Sequence, residues 1–133
     1  MLTTTANKLL DFHDRMPSIS PDGRFLYFSS DRPGGYGKDD IWISEFDPAA
    51  KRWRTPVNAG PVINTPSSEI SPSIHVDTIT LYFSSNRSGG LGSYDIYVTQ
   101  KLNTGEWKIP TNMGVPFNTR QDDAYPTRVR SGG

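Results

Sequence analysis

Residues 17–42, PSISPDGRFLYFSSDRPGGYGKDDIW, decide the fold, because residues 72–97, PSIHVDTITLYFSSNRSGGLGSYDIY, repeat them. Fifteen of the 26 positions are identical at an offset of 55. A period of that length marks one supersecondary unit used more than once. Beyond this block Trp53, Pro56, Asn58, Gly60, Asn64 and Thr65 return as Trp107, Pro110, Asn112, Gly114, Asn118 and Thr119 at an offset of 54, so one residue is lost in between. A third copy starts and stops: Glu69-Ile70-Ser71-Pro72 lines up with Asp123-Ala124-Tyr125-Pro126 and, less closely, with Asp14-Arg15-Met16-Pro17. The chain divides into an N-terminal extension (1–13), a first unit (14–68), a second unit (69–122), and at 123–133 the leading strand of a third unit or a clasp tail.

Each unit reads as four strands. The first is Arg15 to Ser20, with copies at Ile70 to His75 and Ala124 to Val129. The second is Arg24 to Ser29, in which Phe25 and Tyr27 point one way and Leu26 and Phe28 the other. Both faces are apolar, so this strand must be covered on both sides; its copy, Thr80-Leu81-Tyr82-Phe83, has the same character. The third is Asp40 to Glu45, again at Asp95 to Gln100, in β-rich runs. A short fourth sits near Arg52 to Arg54 and Glu106 to Lys108. Pro21-Asp22-Gly23 makes a tight turn between the first two strands, whereas the second unit has Val76-Asp77-Thr78 there. The lost residue falls in a loop, between Asp47-Pro48-Ala49-Ala50-Lys51 and the shorter Asn103-Thr104-Gly105. A helix over Thr5 to His13 is a weak competitor, since Leu9, Leu10 and Phe12 lack clean helical spacing.

Four antiparallel strands per repeat, the second buried on both faces, are what a β-propeller blade requires, because each blade is held between two neighbours. The fold class expected is therefore all-β. SPDGRFLYFSSDR, followed by GG and then DIW, resembles the WD-like β-propeller repeat of TolB-type proteins over about 110 of the 133 residues. The resemblance implies a scaffold that binds proteins or peptides, often at the bacterial envelope, and rings of six blades.

Composition narrows the partners. Fourteen basic residues balance fourteen acidic ones, so no electrostatic footprint for nucleic acid or an anionic membrane appears. No apolar run is long enough to span a bilayer, and MLTTTANKLL lacks the apolar core of a secretory signal. A soluble chain is expected, cytoplasmic by default and periplasmic if it is a processed fragment. With no cysteine, disulfides and cysteine-based metal sites are excluded, and redox location stays open.

The polar clusters read mostly as structure. Asp31, Arg32, Asp40 and their copies Asn86, Arg87 and Asp95 recur in both units, and residues that recur in every blade hold the blade together, whereas catalytic residues in repeat proteins are usually unique. The serines of Ser29 to Arg32 and Ser84 to Arg87 are read as caps of strand ends, and the two arginines as partners of Asp40 and Asp95. Pro33-Gly34-Gly35-Tyr36-Gly37 and Ser88-Gly89-Gly90-Leu91-Gly92 lack the following helix and the GKS or GKT of a phosphate loop and read as wide loops. Asp39, Asp40 and Asp31 are a weak calcium candidate that the second unit, with Tyr94 in place of Asp39, does not copy. His13 and His75 are non-equivalent and form no triad or zinc set. Trp53 and Trp107 repeat and read as packing, which leaves Tyr36, Asp39, Trp42 and Tyr94 as candidate binding residues.

No catalytic residue, metal or cofactor is expected. The functional expectation is a non-catalytic propeller module that assembles with itself and binds a protein or peptide; the alternative is a glycan-binding or glycan-cleaving propeller, which needs a carboxylate pair about 5 to 10 Å apart. Two blades cannot close a ring of 4 to 8. An open pair is expected to leave an apolar face at each end. Self-association into a trimer is favoured over a dimer or tetramer, with the tail as a clasp.

Overall fold

The doubly apolar pattern of Phe25–Phe28 places a strand between two layers, and the computed structural model, which describes residues 15–90 and 92–114, has it there. In the first sheet β1 (Arg15–Ile19), β2 (Phe25–Ser30) and β3 (Asp40–Asp47) form an antiparallel meander. Its outer position is shared by β4 (Arg52–Trp53) and β5 (Val57–Asn58), both paired to β3. The second sheet runs in the order β6 (Glu69–Ile74), β7 (Thr80–Ser85), β8 (Asp95–Gln100) and β9 (Thr111–Asn112), again all antiparallel. The registers match: Phe28 lies opposite Trp42 in the first sheet and Phe83 opposite Tyr97 in the second.

Three details differ from the reading of the sequence. The third strand of unit one runs on to Asp47. The expected strand at Glu106 to Lys108 shrinks to one bridge, Lys101 to Trp107. The outer edge is instead completed by β5 and β9, whose two-residue length gives no periodicity to detect. The Ala124 to Val129 strand and the Thr5 to His13 helix lie outside the described residues. Both first strands carry a register shift, between Arg15 and Ser18 and between Ile70 and Ser73. The sequence cause is Pro17 and its copy Pro72, which have no N–H to give to a ladder. At the second bulge Ser71 adopts a left-handed φ of 53°.

The sheets pack face to face. Tyr27 and Ile41 of the first meet Ile74, Leu81, Phe83 and Tyr97 of the second, with Ile63 of the connecting segment between them. Trp107 closes this core edge-on against Tyr27, at 6.3 Å between ring centroids. Two four-position meanders stacked in this way are a pair of β-propeller blades.

The far side of blade 1 carries a second cluster, Leu26, Phe28 and Trp42 with Trp53 packed on it. The expectation of a bare apolar face fails at this end, since Leu26 and Phe28 are 0% exposed. Part of the cover comes from within the blade: the guanidinium of Arg32 lies 5.1 Å from the centre of the Phe28 ring and 5.6 Å from that of Trp42. At the opposite end of the pair Ile96 is buried, while Tyr82 and Val98 are half-buried.

Candidate functional site

The glycine-rich loops are fastened from below. In blade 1 the carboxylate of Asp40 accepts hydrogen bonds from the backbone N–H of Tyr36, from that of Gly37 at 3.2 Å and from the Asn58 amide at 3.0 Å. In blade 2 Asp95 accepts from the N–H of Gly92 at 3.0 Å and from Asn112 at 2.9 Å. A Cβ on Gly35 would run into the Asp40 carboxylate, and one on Gly90 into that of Asp95, while Gly34 and Gly89 hold φ values of 95° and 92°, so each position of the pair needs glycine for its own reason. Asn64 extends the network by donating to Asn58 Oδ1 at 2.8 Å, while its amide both donates to and accepts from the backbone of Ile41, a strand-like pairing made by one side chain. Asp40 and Asp95 thus serve as loop anchors, and buried carboxylates need such donors.

The serine–arginine segments form a clamp. Ser30 Oγ accepts from the N–H and Nε of Arg32, and Ser85 Oγ from the same two groups of Arg87. That use of the hydroxyls explains their recurrence without any nucleophile. Arg87 lies over the rings of Phe83 and Tyr97, donates to the Ile63 carbonyl at 2.6 Å and reaches Glu69 at 3.5 Å. The expected pairing of the arginines with Asp40 and Asp95 is corrected here: the ion pair of Arg87 is with Glu69, because the aspartates hold the loop amides. Glu69 is wholly buried and also accepts from Thr65 N, Thr65 Oγ1 and Ser85 Oγ. Burial raises its pKa above the ordinary 4.5, against the pull of those hydrogen bonds and of Arg87.

The four candidate binding residues do not come together as one described site. Tyr36 is 50% exposed on its loop, and Asp39 and Tyr94 are half-buried at the starts of β3 and β8. Trp42 is corrected from surface candidate to core, at 8% exposure, with its indole N–H unpaired. It sits where Tyr97 sits in blade 2, and that equivalence was readable as packing. Asn86 exchanges hydrogen bonds with the backbone of Ser68. Among the described residues no three His, Asp or Glu side chains gather into a metal cage, and no helix is long and apolar enough to cross a membrane. The sequence reading missed Glu69 and Asn58; the available signals were the alignment of Glu69 with Asp123 and the return of Asn58 as Asn112.

The repeat gives the pair two complementary ends. Leu26, Phe28, Trp42 and Trp53 stand where Leu81, Phe83, Tyr97 and Trp107 stand in blade 2, the side that meets blade 1. Tyr82, Ile96 and Val98 stand where Tyr27, Ile41 and Ile43 stand in blade 1, the side that meets blade 2.

No family model matches the chain, and no curated protein does. Among solved structures the chain is similar to TolB from Acinetobacter baumannii, with a TM-score of 0.46 and 21% identity, over 74% of this chain and 21% of that one. The chain thus spans about a fifth of the length of that protein.

Proposed function

We propose that this chain is a non-catalytic propeller module that joins copies of itself into a larger ring and binds a protein or peptide partner. One observation carries the reading: the outward side of blade 2 copies the side of blade 1 used inside the chain, and the outward side of blade 1 copies the corresponding side of blade 2. A head-to-tail contact would set Tyr82, Ile96 and Val98 of one copy against Leu26, Phe28 and Trp42 of the next. Contacts of that type form rings when the rotation closes, and three chains give six blades. Since Leu26 and Phe28 are already covered, the docking copy has to take the place of their present cover, so association is expected to be concentration-dependent and slow to settle. Absence of catalysis is proposed on the same repeat logic, since the serine, arginine and aspartate clusters hold backbone and one another.

Light scattering and native mass measurement test the assembly. The wild-type chain is expected as an oligomer, favouring the trimer, and Tyr82→Glu as a folded monomer. A stable wild-type monomer at micromolar concentration overturns the ring.

A further inference from the structure

A groove of about 580 Å³ runs between the blades on the side of the outer strands, within the size range of small-ligand sites. Its floor is Phe25, Ile43 and Trp107, and Pro61 and Val62 of the connecting segment form a wall. Lys101, at the end of β8, reaches into it: its ammonium lies 4.3 Å from the centre of the Phe25 ring and 5.3 Å from that of Trp107. The two aromatic faces hold the cation but offer no lone pair. Among the described residues no acceptor hydrogen-bonds this ammonium. The Glu45 carboxylate acts on this ammonium only through space, favouring its charge against burial. Glu45 is taken up by Arg54 at 3.0 Å and by Arg24 at 3.4 Å, and Glu106 is exposed. A half-buried cation held over two ring faces, without a protein hydrogen-bond acceptor among the described residues, leaves its donors open to a ligand acceptor in an otherwise apolar groove.

We infer that this inter-blade groove binds a carboxylate borne on an apolar body, with Lys101 Nζ donating to the carboxylate and Phe25, Ile43 and Trp107 receiving the apolar part. The Lys101 ammonium supplies a donor for an anion, since Arg54, the other lining cation, is paired with Glu45, and the apolar lining selects an anion with little other polarity. Both a free hydrophobic acid and the C-terminus of a peptide ending in an apolar residue have this chemistry. The burial that lowers the pKa of Lys101 in the free protein is relieved electrostatically when the anion arrives. The inference rests on reading the chain as a binding module, but it uses the side of Trp107 that faces blade 1 and not the outward Tyr82 face. A groove that fails in an intact ring therefore overturns the groove alone, and a selective groove in a monomer overturns the ring alone.

The test is titration of the full chain, followed by the indole N–H resonance of Trp107 in a nitrogen–proton correlation spectrum. The probes are 3-phenylpropionate against 3-phenylpropionamide, and a peptide ending Ala-Leu-Phe with a free against an amidated C-terminus. At least one free acid is expected to bind about tenfold more tightly than its amide. Selectivity for the small acid alone identifies a metabolite-type ligand, and selectivity for the peptide identifies a chain terminus. In Lys101→Met, which keeps the apolar stem, the preference is expected to vanish, and in Lys101→Arg to persist. Equal binding of acid and amide, a preference that survives in Lys101→Met, or no saturable shift of Trp107 with any probe would each overturn the inference.

Discussion

Blade 1 and blade 2 carry the same Ser-Ser-x-Arg clamp over equivalent rings, Phe28 and Trp42 in one and Phe83 and Tyr97 in the other, yet the described contacts of the clamp differ in the two places. In blade 2 the arginine joins blades: it stacks on Phe83 and Tyr97, holds the Ile63 carbonyl of the preceding segment and neutralises the buried Glu69. In blade 1 the equivalent arginine stacks on Phe28 and Trp42 at the end of the pair. The guanidinium over two rings is therefore a property of each blade, and what differs among the described contacts is the blade-to-blade contact that Arg87 adds to it. Repeat proteins gain their cooperativity in this way, from nearest-neighbour interfaces added to intrinsic unit stability.

The largest effects should come from the ring layer. Phe83→Ala is expected to cost about 3–5 kcal/mol, since it opens a cavity between the blades, and Phe28→Ala to fall at the lower end of that range, since its cluster is smaller. Urea midpoints measure both; a neutral Phe28→Ala would mean that the far cluster contributes nothing to a single chain. Next come the clamps themselves. Arg87→Ala is expected to cost about 2–3 kcal/mol, because it leaves a buried carboxylate with neutral donors only and strips the Ile63 carbonyl. Arg32→Ala removes ring contacts and the bond to Ser30 Oγ and is expected to cost about 1–2 kcal/mol. Equal losses would show that the contact with Glu69 and the Ile63 carbonyl adds nothing to the clamp of blade 2.

The pH dependence of stability probes the same junction through one group. Glu69 has a folded pKa raised above 4.5, so the native chain holds its proton to higher pH than the unfolded chain does. Its contribution to stability therefore falls as pH rises from about 4.5 through the raised value. Asp22 and Asp77 act oppositely: their pKa values are lowered from 3.8, by bonds from Ser20 and the Arg24 N–H and by bonds from Thr80 and Ile79, so they stabilise above 3.8 and lose that effect in stronger acid. Urea midpoints between pH 4 and pH 7 should decline in wild type and stay flatter in Glu69→Gln. An equal decline in both would assign the trend to another group.

The smallest effect concerns the first hairpin, where the blades differ in sequence and agree in shape. Gly23 has a φ of 74° and Thr78 one of 61°, and each donates its N–H to the residue three before it, Ser20 or His75. Asp77, bonded to Ile79 N, Thr80 N and Thr80 Oγ1, holds a β-branched residue in the left-handed region. Thr78→Gly is expected to stabilise by about 1 kcal/mol and Gly23→Thr to destabilise by a similar amount. A thermal shift of the wrong sign in either would show that the two turns are not equivalent in energy.

Strand positions and the stacking of two blades were legible because they depend on local alternation and on a repeat, and both are written along the chain. Phe25 to Phe28, apolar on both faces, require cover on both sides whatever the rest of the molecule does. The twin glycine loops were legible as loops, although their reason, a carboxylate under Gly35 and Gly90, was not. What lay beyond sequence were choices among chemically equal partners. Arg87 had aspartates nearby in sequence, and only the fold brings Glu69 and the Ile63 carbonyl to it while loop amides occupy Asp40 and Asp95. Trp42 and Tyr36 read alike as unmatched aromatics, and only packing buries one and exposes the other. The groove around Lys101 belongs wholly to tertiary structure, because Phe25, Pro61 and Trp107 meet only when one blade is laid on the next. Sequence determined which units exist and which faces must be covered, through periodicity and backbone chemistry; tertiary structure decided which polar groups pair, since pairing depends on distances that repeat spacing does not encode.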